Sequence, residues 1–249
     1  MGLEIYDELH SVVREHTEFV QKWIDFFYKN YPEDVRKKIE SGICLDAGCG
    51  GTIKGVSLIN KFNPVSVFAC DINENHRKLY EGSNASFICS DIASLPFENN
   101  YFDFILCNGV AHHTPDPWRT IGELRRVLKP GGIMHISLYC FKNSPFHLLV
   151  VLLRALAKLV PFRLARALCG NNFLLNTLLD HAYVPYEFVY TEKEVISGLQ
   201  NLGFTADCIL NVSESHRGDK SVGFLVKNER LLFGDGAILS FIGYKNTVK

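Results

Sequence analysis

The chain has 249 residues, of which 47% are hydrophobic and 21% are charged, and its formal net charge at pH 7 is −1. This composition is typical of a globular protein that can bury a large core, and it excludes a disordered or fibrous chain. The nearly balanced charge argues against nucleic acid as the main partner, because neutralising backbone phosphates requires a strongly basic surface.

The N-terminal region predicts two helices. Apolar residues recur at helical spacing over residues 3–30, so one face of this helix is expected to pack on the rest of the protein. Pro32 is expected to begin a second, short helix that ends near Ser41-Gly42. Several aromatic residues lie off the main apolar stripe, and packing or surface positions are favoured for them over the lining of a substrate pocket. These residues are Tyr6, Phe26, Tyr28 and Tyr31.

Residues 45–52, Leu-Asp-Ala-Gly-Cys-Gly-Gly-Thr, form the most informative stretch. An apolar run leads into Asp46 and then into glycines, which indicates a buried strand, a tight turn and the start of a helix. Gly48 and Gly50 lack a Cβ, so the turn can adopt positive φ and a ligand can lie against the backbone. The helix presents unpaired N–H groups to that ligand, and an acidic strand tip suits an amino or hydroxyl group better than a phosphate. A nucleoside site without a phosphate is therefore predicted.

Two other glycine motifs fit this stretch less well. The dinucleotide-binding pattern requires Gly or Ala at its sixth position, where Ile53 stands. A phosphate-binding P-loop requires Lys and then Ser or Thr after its last glycine, whereas Gly55 is followed by Val56 and Ser57. A nicotinamide-dependent oxidoreductase is therefore less favoured. An ordinary strand–turn–helix remains the alternative for this motif taken alone.

Strand-like and helix-like segments alternate beyond the glycine loop. The predicted strands are Val65–Cys70, Ser86–Cys89, Phe102–Cys107 and, after a chain break at residues 129–132, Ile133–Cys140. Helices are expected at about 74–81 and 115–128, and the regular alternation predicts an α/β fold with a doubly wound, mostly parallel sheet. In such sheets ligands bind at the carboxyl ends of the strands. The polar residues at those ends are Asp46, Asp71, Asp91 and Asn108.

With these residues in place, the sequence resembles the class I S-adenosylmethionine-dependent methyltransferases, in particular the branch that includes the quinone-ring C-methyltransferases. The matches are Leu-Asp-Ala-Gly-Cys-Gly at 45–50, an acidic strand end at Asp71, Ser-Asp-Ile-Ala-Ser-Leu-Pro-Phe at 90–97, Phe-Asp-Phe-Ile-Leu-Cys-Asn-Gly-Val-Ala-His-His at 102–113, and Leu-Lys-Pro-Gly-Gly at 128–132. Each match is weak alone, but their order makes the set specific. The resemblance implies a Rossmann-like, seven-stranded methyltransferase fold with an antiparallel last strand, and S-adenosylmethionine as the cofactor.

The resemblance also implies roles for single residues. The glycine loop would surround the methionine end of the cofactor, with Asp46 near its ammonium group. Asp71 would accept hydrogen bonds from both ribose hydroxyls, and Asp91 would accept one from the adenine amine. Helix N-capping is the alternative role for these last two carboxylates. The full set of expected cofactor contacts is Asp46, Ala47, Gly48, Cys49, Gly50, Asp71, Ile72, Ser90, Asp91, Ile92, Cys107, Asn108 and Gly109.

His112 and His113 are the candidate catalytic residues, because they follow the fourth strand beside the expected position of the methyl group. A base is needed only if the acceptor must lose a proton. Adjacent side chains in extended chain point in opposite directions, so at most one of the two is expected to face the ligand. A loop pair that only packs and hydrogen-bonds is slightly favoured over a catalytic pair. No metal is expected, since adjacent histidines without a third ligand at fixed spacing do not form a site.

Residues 144–179 are too long for a simple connection and are expected to be helical. They contain twelve leucines and four basic residues but no acidic residue. Their longest uncharged apolar stretch is too short to span a membrane. Three roles stay open: a lid whose apolar face forms the acceptor pocket, a basic amphipathic surface at 146–168 for peripheral membrane contact, or a homodimer interface.

The C-terminal part is expected to complete the sheet. Thr191 and Glu194 predict the start of a helix that ends at Gly203, and the aromatic residues 183–190 before it are expected to reach the pocket mouth. The strand-like segments are Thr205–Leu210, Ser221–Lys227 and Ala237–Tyr244, the last of them antiparallel. One methyltransferase domain is therefore predicted over 1–249. It comprises a helical cap (1–41), a cofactor-binding core (42–143), a lid (144–182) and the rest of the core (183–249).

The eight cysteines include no C-x-x-C pattern, so buried reduced thiols are favoured over disulfides or metal ligands. Five lie in or beside apolar strand segments: Cys44, Cys70, Cys89, Cys107 and Cys140. Reduced thiols and the lack of a secretion signal at the start favour the cytoplasm, with peripheral membrane contact left open.

The predicted function is the transfer of a methyl group from S-adenosylmethionine to a small, hydrophobic, lipid- or quinone-like acceptor. A cofactor-binding or membrane-associated protein without methyl transfer is the main alternative, and an NAD(P)-dependent oxidoreductase is a weaker one. Methylation of nucleic-acid bases is disfavoured, because no N-P-P-Y type sequence follows the fourth strand.

Overall fold

The computed structural model describes residues 17–169, 173–212 and 228–247, which form a seven-stranded sheet. Its strands are β1 (Ile43–Ala47), β2 (Ser66–Asp71), β3 (Ala85–Cys89), β4 (Phe102–Asn108), β5 (Leu128–Cys140), β6 (Phe204–Asn211) and β7 (Gly236–Lys245). The spatial order is β3-β2-β1-β4-β5-β7-β6. Strand β7 is antiparallel to both β5 and β6, and all other neighbours are parallel. The predicted fold class, with its antiparallel last strand, is confirmed.

Helices cover both faces of this sheet. They are α1 (Thr17–Asn30), α2 (Glu33–Glu40), α3 (Lys54–Asn60), α4 (Pro117–Val127), α5 (Pro145–Ala157), α6 (Phe162–Cys169), α7 (Phe173–Tyr183), α8 (Glu192–Asn201) and α9 (Glu229–Phe233). Helices α1, α2 and α3 bury their apolar residues on one face, and α4 and α8 bury theirs on the other. Because both faces are covered, central strands such as β4 are apolar along almost their whole length.

The first helix buries the apolar face that its spacing predicts. Trp23, Ile24 and Phe27 lie in the core against α3 and the sheet. Tyr31, which follows the helix, is also buried, and its hydroxyl lies 2.5 Å from Nδ1 of His135 in β5. Tyr31 is therefore a packing residue, as favoured. The part of the predicted helix at residues 3–16 and the predicted strand at 221–227 lie outside the described residues.

The helix expected at about 74–81 is present as a 3-10 helix, Glu74–Leu79. Two other local expectations are wrong. The break at residues 129–132 does not interrupt β5, because Leu128 pairs with Phe102 and the next paired residue of β5 is Ile133, opposite Phe104. The intervening residues bulge from the strand without leaving the sheet. Cys89, which was expected to be buried, is exposed at the end of the edge strand β3.

The segment between β5 and α8 consists of helices α5, α6 and α7. Ser144 caps α5 by accepting a hydrogen bond from the His147 N–H at 3.1 Å, and Pro145 occupies the first turn. Val150 is the buried residue of α5, and α6 has none. The apolar residues of these two helices therefore lie mostly on the outer surface. No helix among the described residues is long and apolar enough to cross a membrane.

Candidate cofactor and acceptor site

The sheet order brings the predicted polar residues to one edge. Asp46 lies in β1, Asp71 ends β2, Asp91 follows β3, and Asn108 ends β4. These four strands are neighbours and parallel, so their carboxyl ends lie side by side. Residues far apart in sequence thus border a single region at the switch point of the sheet, where ligands of this fold class bind.

Glycines keep the centre of that edge open. Gly50 and Gly109 have φ of +62° and +75°, and a Cβ built on either would meet no described atom within 4 Å. Gly48, at φ +73°, is crowded instead, because its Cβ would lie 2.6 Å from Val110. The backbone N–H groups of Gly48 and Cys49 both donate to the Cys70 carbonyl, at 2.8 and 2.9 Å. The loop is therefore fixed, and the space in front of Gly50 and Gly109 can hold a ligand.

Asp46 is a buried carboxylate with unused hydrogen-bonding capacity. Asp46 is only 4% exposed, and its Oδ2 atom has no hydrogen-bond partner among the described residues. Burial raises the pKa of Asp46 to about 7, against the opposing effect of the nearby Lys54 ammonium. A Cβ on Gly55 would lie 2.2 Å from Oδ2, so the carboxylate packs directly on the start of α3.

Asp71 already accepts several protein hydrogen bonds. Oδ2 accepts from the Gly50 N–H at 2.8 Å, and Oδ1 accepts from the Asn73 N–H at 2.9 Å. Nδ1 of the buried His76 lies 3.3 Å from the same Oδ1. Burial raises the pKa of Asp71, but these hydrogen bonds outweigh it and hold the pKa below its usual value. Asp71 thus holds the glycine loop and a local turn, whereas the N-cap of the following helix is Asn73, and lone pairs remain on both Asp71 oxygens for further donors.

The third strand end is more open. Asp91 is exposed, and its Oδ1 accepts a hydrogen bond from the Ala93 N–H at 2.8 Å. Ser90 Oγ donates to the Ser94 carbonyl at 3.1 Å. Ile72 is 51% exposed just after β2, whereas Ile92 is buried. The exposed carboxylate of Asp91 and the exposed side chain of Ile72 are therefore accessible to a ligand at the ends of β3 and β2.

Several of the predicted contacts offer no side chain to a ligand. The side chains of Ala47, Cys49 and Cys107 are buried in the core. The Gly109 N–H donates to the Ser137 carbonyl at 3.1 Å and is not available to a ligand. Asn108 is half-buried at the end of β4.

The two adjacent histidines lie in a 3-10 helix, Ala111–His113, so the expectation of extended chain is wrong. His112 is fully buried, and neither of its ring nitrogens has a hydrogen-bond partner among the described residues. Burial, together with the neighbouring His113 and His181, places the pKa of His112 well below its usual value. His113 is half-buried, and its Nδ1 lies 2.9 Å from the Tyr186 carbonyl.

Near these histidines, Glu187, His181 and Arg154 form a largely buried charged cluster that the sequence did not predict. Glu187 hydrogen-bonds His181 Nδ1, and its other oxygen lies 3.7 Å from Nη1 of Arg154. Arg154 also donates to the carbonyls of residues 181, 184 and 185. The His181 ring packs on Tyr139, whose ring lies 4.0 Å from that of His112. In the sequence, Glu187 is the one acidic residue of the aromatic stretch 183–190, and this pattern does not predict a buried charged cluster.

A second missed group lies beside Asp46. Lys54 begins α3, and its Nζ lies 5.3 Å from the centroid of the buried Trp23 ring of α1. No group of three His, Cys, Asp or Glu side chains in the described ranges is arranged to hold a metal ion.

Comparison with known proteins agrees with this geometry. Residues 45–136 match the family model described as "Methyltransferase domain". The demethylmenaquinone methyltransferase of Staphylococcus saprophyticus is 31% identical over 138 residues, which cover 52% of this chain and 55% of that protein. The ubiquinone biosynthesis O-methyltransferase of Coxiella burnetii is 33% identical over 98 residues, or 37% and 42% of the two chains. The chain thus spans about half the length of the curated relatives it matches.

Solved structures share the fold over most of the chain. A Thermotoga maritima protein described as an S-adenosylmethionine-dependent methyltransferase and possible histamine N-methyltransferase has a TM-score of 0.61 at 14% identity, covering 98% of this chain and 99% of that one. The Burkholderia thailandensis 1,6-didemethyltoxoflavin-N1-methyltransferase, solved with S-adenosylhomocysteine, has a TM-score of 0.50 at 16% identity, covering 97% and 91%. Residues 45–136 thus match a methyltransferase domain family, and the chain has the fold of the solved S-adenosylmethionine-dependent methyltransferases.

Proposed function

We propose that the chain binds S-adenosylmethionine at the carboxyl ends of β1 to β4 and transfers its methyl group to a small acceptor. The observation that carries this proposal is the open space at Gly50 and Gly109, bordered by the Asp71 carboxylate that accepts the Gly50 N–H; the buried, unpartnered Oδ2 of Asp46 packs on Gly55 after the same loop. An amino group and ribose hydroxyls fit these carboxylates, and a phosphate does not.

Each side chain at the edge has a defined task in this proposal. Asp71 accepts the ribose hydroxyls with its remaining lone pairs, and its low pKa keeps it ionised at neutral pH. Asp91 accepts a hydrogen bond from the adenine amine, and Ile72 covers the flat face of the base. Asp46 receives the ammonium of the methionine end. When bound, the cofactor supplies a methyl group on a sulfonium, which is already a strong electrophile.

The protein therefore has to orient the acceptor and exclude water. His112 suits the first task, because it is buried and neutral and can accept or donate a hydrogen bond at its free nitrogens. Its low pKa makes it a poor proton acceptor, so we propose that it positions the acceptor rather than deprotonating it. His113 is held by the Tyr186 carbonyl and lines the same region.

Calorimetric titration tests the cofactor assignment. Micromolar binding of S-adenosylmethionine and S-adenosylhomocysteine is expected, with no binding of NADH. Asp71→Ala should weaken both affinities about 10- to 100-fold, the loss expected for hydrogen bonds to a charged group. Asp207→Ala, the same change at an exposed position of β6, serves as the matched control. Binding of NADH alone would replace the proposal with an oxidoreductase.

The acceptor that we propose is small, mainly hydrophobic and quinone-like. Support comes from the aromatic rings around His112 and from the two relatives whose names refer to menaquinone and ubiquinone synthesis. Reduced demethylmenaquinone is the first compound to test, with S-adenosylhomocysteine formation as the readout. Cofactor binding without any turnover on quinols or on a total lipid extract would favour a binding protein without transfer.

We also propose that residues 146–168 contact a lipid bilayer. Leu159 at the α5–α6 junction is 80% exposed, Leu152, Leu156, Leu164 and Leu168 are each more than half exposed, and Lys158 and Arg163 flank the tip. Exposed leucines beside basic and no acidic residues suit an anionic membrane surface. A lipid-like acceptor would be found there. This surface favours the membrane interpretation over the homodimer, because a positive surface repels its own copy.

Vesicle flotation distinguishes these partners. Binding to vesicles with anionic lipid, but weak binding to purely zwitterionic ones, is expected. Leu159→Gln should reduce binding, whereas Leu231→Gln, at a 72% exposed position of α9, should not. A homodimer in light scattering that Leu159→Gln dissociates, with no vesicle binding, would assign the surface to a second copy instead.

A further inference from the structure

Two opposite charges, Asp46 and Lys54, lie near each other around the glycine loop. Asp46 is buried below the glycine loop, and Lys54 begins the helix that follows the loop. Lys54 is partly buried, and its ammonium lies over the Trp23 ring at 5.3 Å. Burial lowers the pKa of Lys54, and the Asp46 carboxylate partly offsets that effect. Each group is therefore electrostatically sensitive to the other.

The two charges do not satisfy each other completely. Asp46 Oδ2 has no hydrogen-bond partner among the described residues, although it is buried. A buried carboxylate oxygen without a partner is costly, and such positions are usually completed by a ligand, an ion or water. The close packing of Gly55 against this carboxylate fixes its position. A ligand that completes the arrangement needs a cationic donor for Asp46 and an anionic acceptor for Lys54.

We propose that Asp46 and Lys54 together recognise the zwitterionic amino-acid end of the cofactor, with Asp46 accepting from its ammonium and Lys54 donating to its carboxylate. This inference rests on the proposed function, and what it adds is Lys54 as the carboxylate partner. Trp23 serves as the platform that holds the lysine ammonium by a cation–π contact. The N-terminal helix α1 therefore takes part in cofactor recognition through a residue that contacts Lys54.

A purely structural role makes a different prediction. If Lys54 only neutralises Asp46 and packs its stem on Trp23, its removal should weaken the two ligands that carry the ammonium equally, because it favours neutral Asp46. A carboxylate-binding role weakens the ligand that carries a carboxylate much more than its decarboxylated form. Three ligands separate these cases: S-adenosylmethionine, decarboxylated S-adenosylmethionine, and 5′-methylthioadenosine, which lacks the amino-acid end.

The experiment is calorimetric titration of the full chain and its variants with these ligands. Lys54→Met should weaken S-adenosylmethionine about 10- to 100-fold, weaken decarboxylated S-adenosylmethionine far less, and leave 5′-methylthioadenosine within about twofold. Asp46→Asn should weaken both ligands that carry the ammonium and spare 5′-methylthioadenosine. Lys54→Arg should restore part of the affinity. Lys61→Met is the matched control, because Lys61 ends the same helix and lies 5.2 Å from the Tyr28 ring of α1.

The outcomes are distinguishable. Equal losses for S-adenosylmethionine and its decarboxylated form in Lys54→Met, or no loss for either, would overturn the Lys54 assignment while leaving the proposed function intact. Circular dichroism and thermal melting show whether each variant is folded, and the response to 5′-methylthioadenosine shows that its site is formed. A wild-type chain that binds none of the three would overturn the proposed function and this inference together.

Discussion

Asp46 shows how strongly the fold changes the chemistry of one residue. In the sequence it is an acidic residue at a strand tip, which would be ionised at neutral pH. In the structure it is buried beside the glycine loop, and its pKa rises to about 7. The ionised and neutral forms are therefore both populated near physiological pH, and any ligand that prefers one form shifts this balance.

Cofactor binding should accordingly release protons. A bound ammonium stabilises ionised Asp46, so the affinity for S-adenosylhomocysteine should rise with pH up to about 7 and level off above it. Titration at pH 6.5 in two buffers with different ionisation enthalpies measures the protons released. The titratable groups that interact electrostatically with Asp46 are Lys54, Asp71, Tyr31, Cys49, Tyr80 and Cys107. Asp46→Asn should abolish most of the proton release, and an unchanged release would assign it to another of these groups.

The same residue should cost stability in the free protein. Its pKa is raised on folding, so between about 4 and 7 the folded state binds more protons than the unfolded state and stability from this group falls as pH rises. Asp46→Asn removes this loss of stability at higher pH. We expect the variant to melt at a higher temperature than the wild type at pH 8, and the difference to shrink at pH 5. Equal melting temperatures at pH 8 would contradict the raised pKa.

At the scale of elements, the contacts between helices depend on single small residues. Gly198 of α8 packs directly on Trp118 of α4, and a Cβ there would lie 2.0 Å from the indole ring. Gly122 of α4 has open space instead, with no described atom within 4 Å of a built Cβ. Helix propensity favours alanine at both positions, so the packing around each glycine decides whether alanine stabilises or destabilises the protein there.

Alanine substitutions at these two glycines should therefore have opposite effects. Gly198→Ala should destabilise the protein by about 1–3 kcal/mol, because overpacking against Trp118 exceeds the gain in helix propensity. Gly122→Ala should stabilise it by about 0.5–1 kcal/mol. Urea unfolding measures both free energies. A stabilising Gly198→Ala would show that Trp118 can move aside at low cost.

The buried cluster around Glu187 joins α5, α7 and the segment that lies over His112. The Phe188 N–H donates to the His112 carbonyl at 3.0 Å, so this segment and the histidine pair form one unit. Glu187→Gln removes the charge that Arg154 faces, and it should cost about 1–3 kcal/mol, less than a fully buried pair because Arg154 is partly exposed.

Hydrogen exchange locates this effect. Amides of residues 183–190 should exchange faster in Glu187→Gln, while the sheet is unchanged. Glu18→Gln breaks a surface ion pair with Lys22 and should change stability by less than about 1 kcal/mol. Loss of protection throughout the sheet would mean that the cluster supports the whole domain and not this segment.

At the scale of the whole molecule, the parallel order of β1 to β4 places the proposed cofactor edge on one half of the sheet. The antiparallel β7 and its neighbour β6 complete the opposite edge. Cofactor binding should therefore slow amide exchange strongly at the edge formed by β1 to β4 and weakly at the edge formed by β6. S-adenosylhomocysteine at 100 times its Kd should raise the free energy of unfolding by about 2.7 kcal/mol. Amide exchange should slow at residues 48–50, 71–73 and 90–93 and change little in β6, and uniform slowing would argue against a local site.

The sequence alone determined the fold class and the positions of the strand ends. Apolar strands with β-α alternation specify a parallel sheet, and the glycine loop and Asp71 stand at fixed points of that pattern. The capping residues Thr191 and Glu194 likewise gave the start of α8, where both capping hydrogen bonds form. These features are local in sequence, so local physics is enough to predict them.

Only the tertiary structure decided the properties that depend on burial and on distant neighbours. The pKa of Asp46, the unpartnered nitrogens of His112, the Glu187 cluster and the contact of Lys54 with Trp23 arise from chain segments far apart in sequence. The exposed leucines of α5 and α6 belong to the same class, since helical spacing shows that a face is apolar but not what covers it. Desolvation and packing act through space, and a linear pattern does not record them.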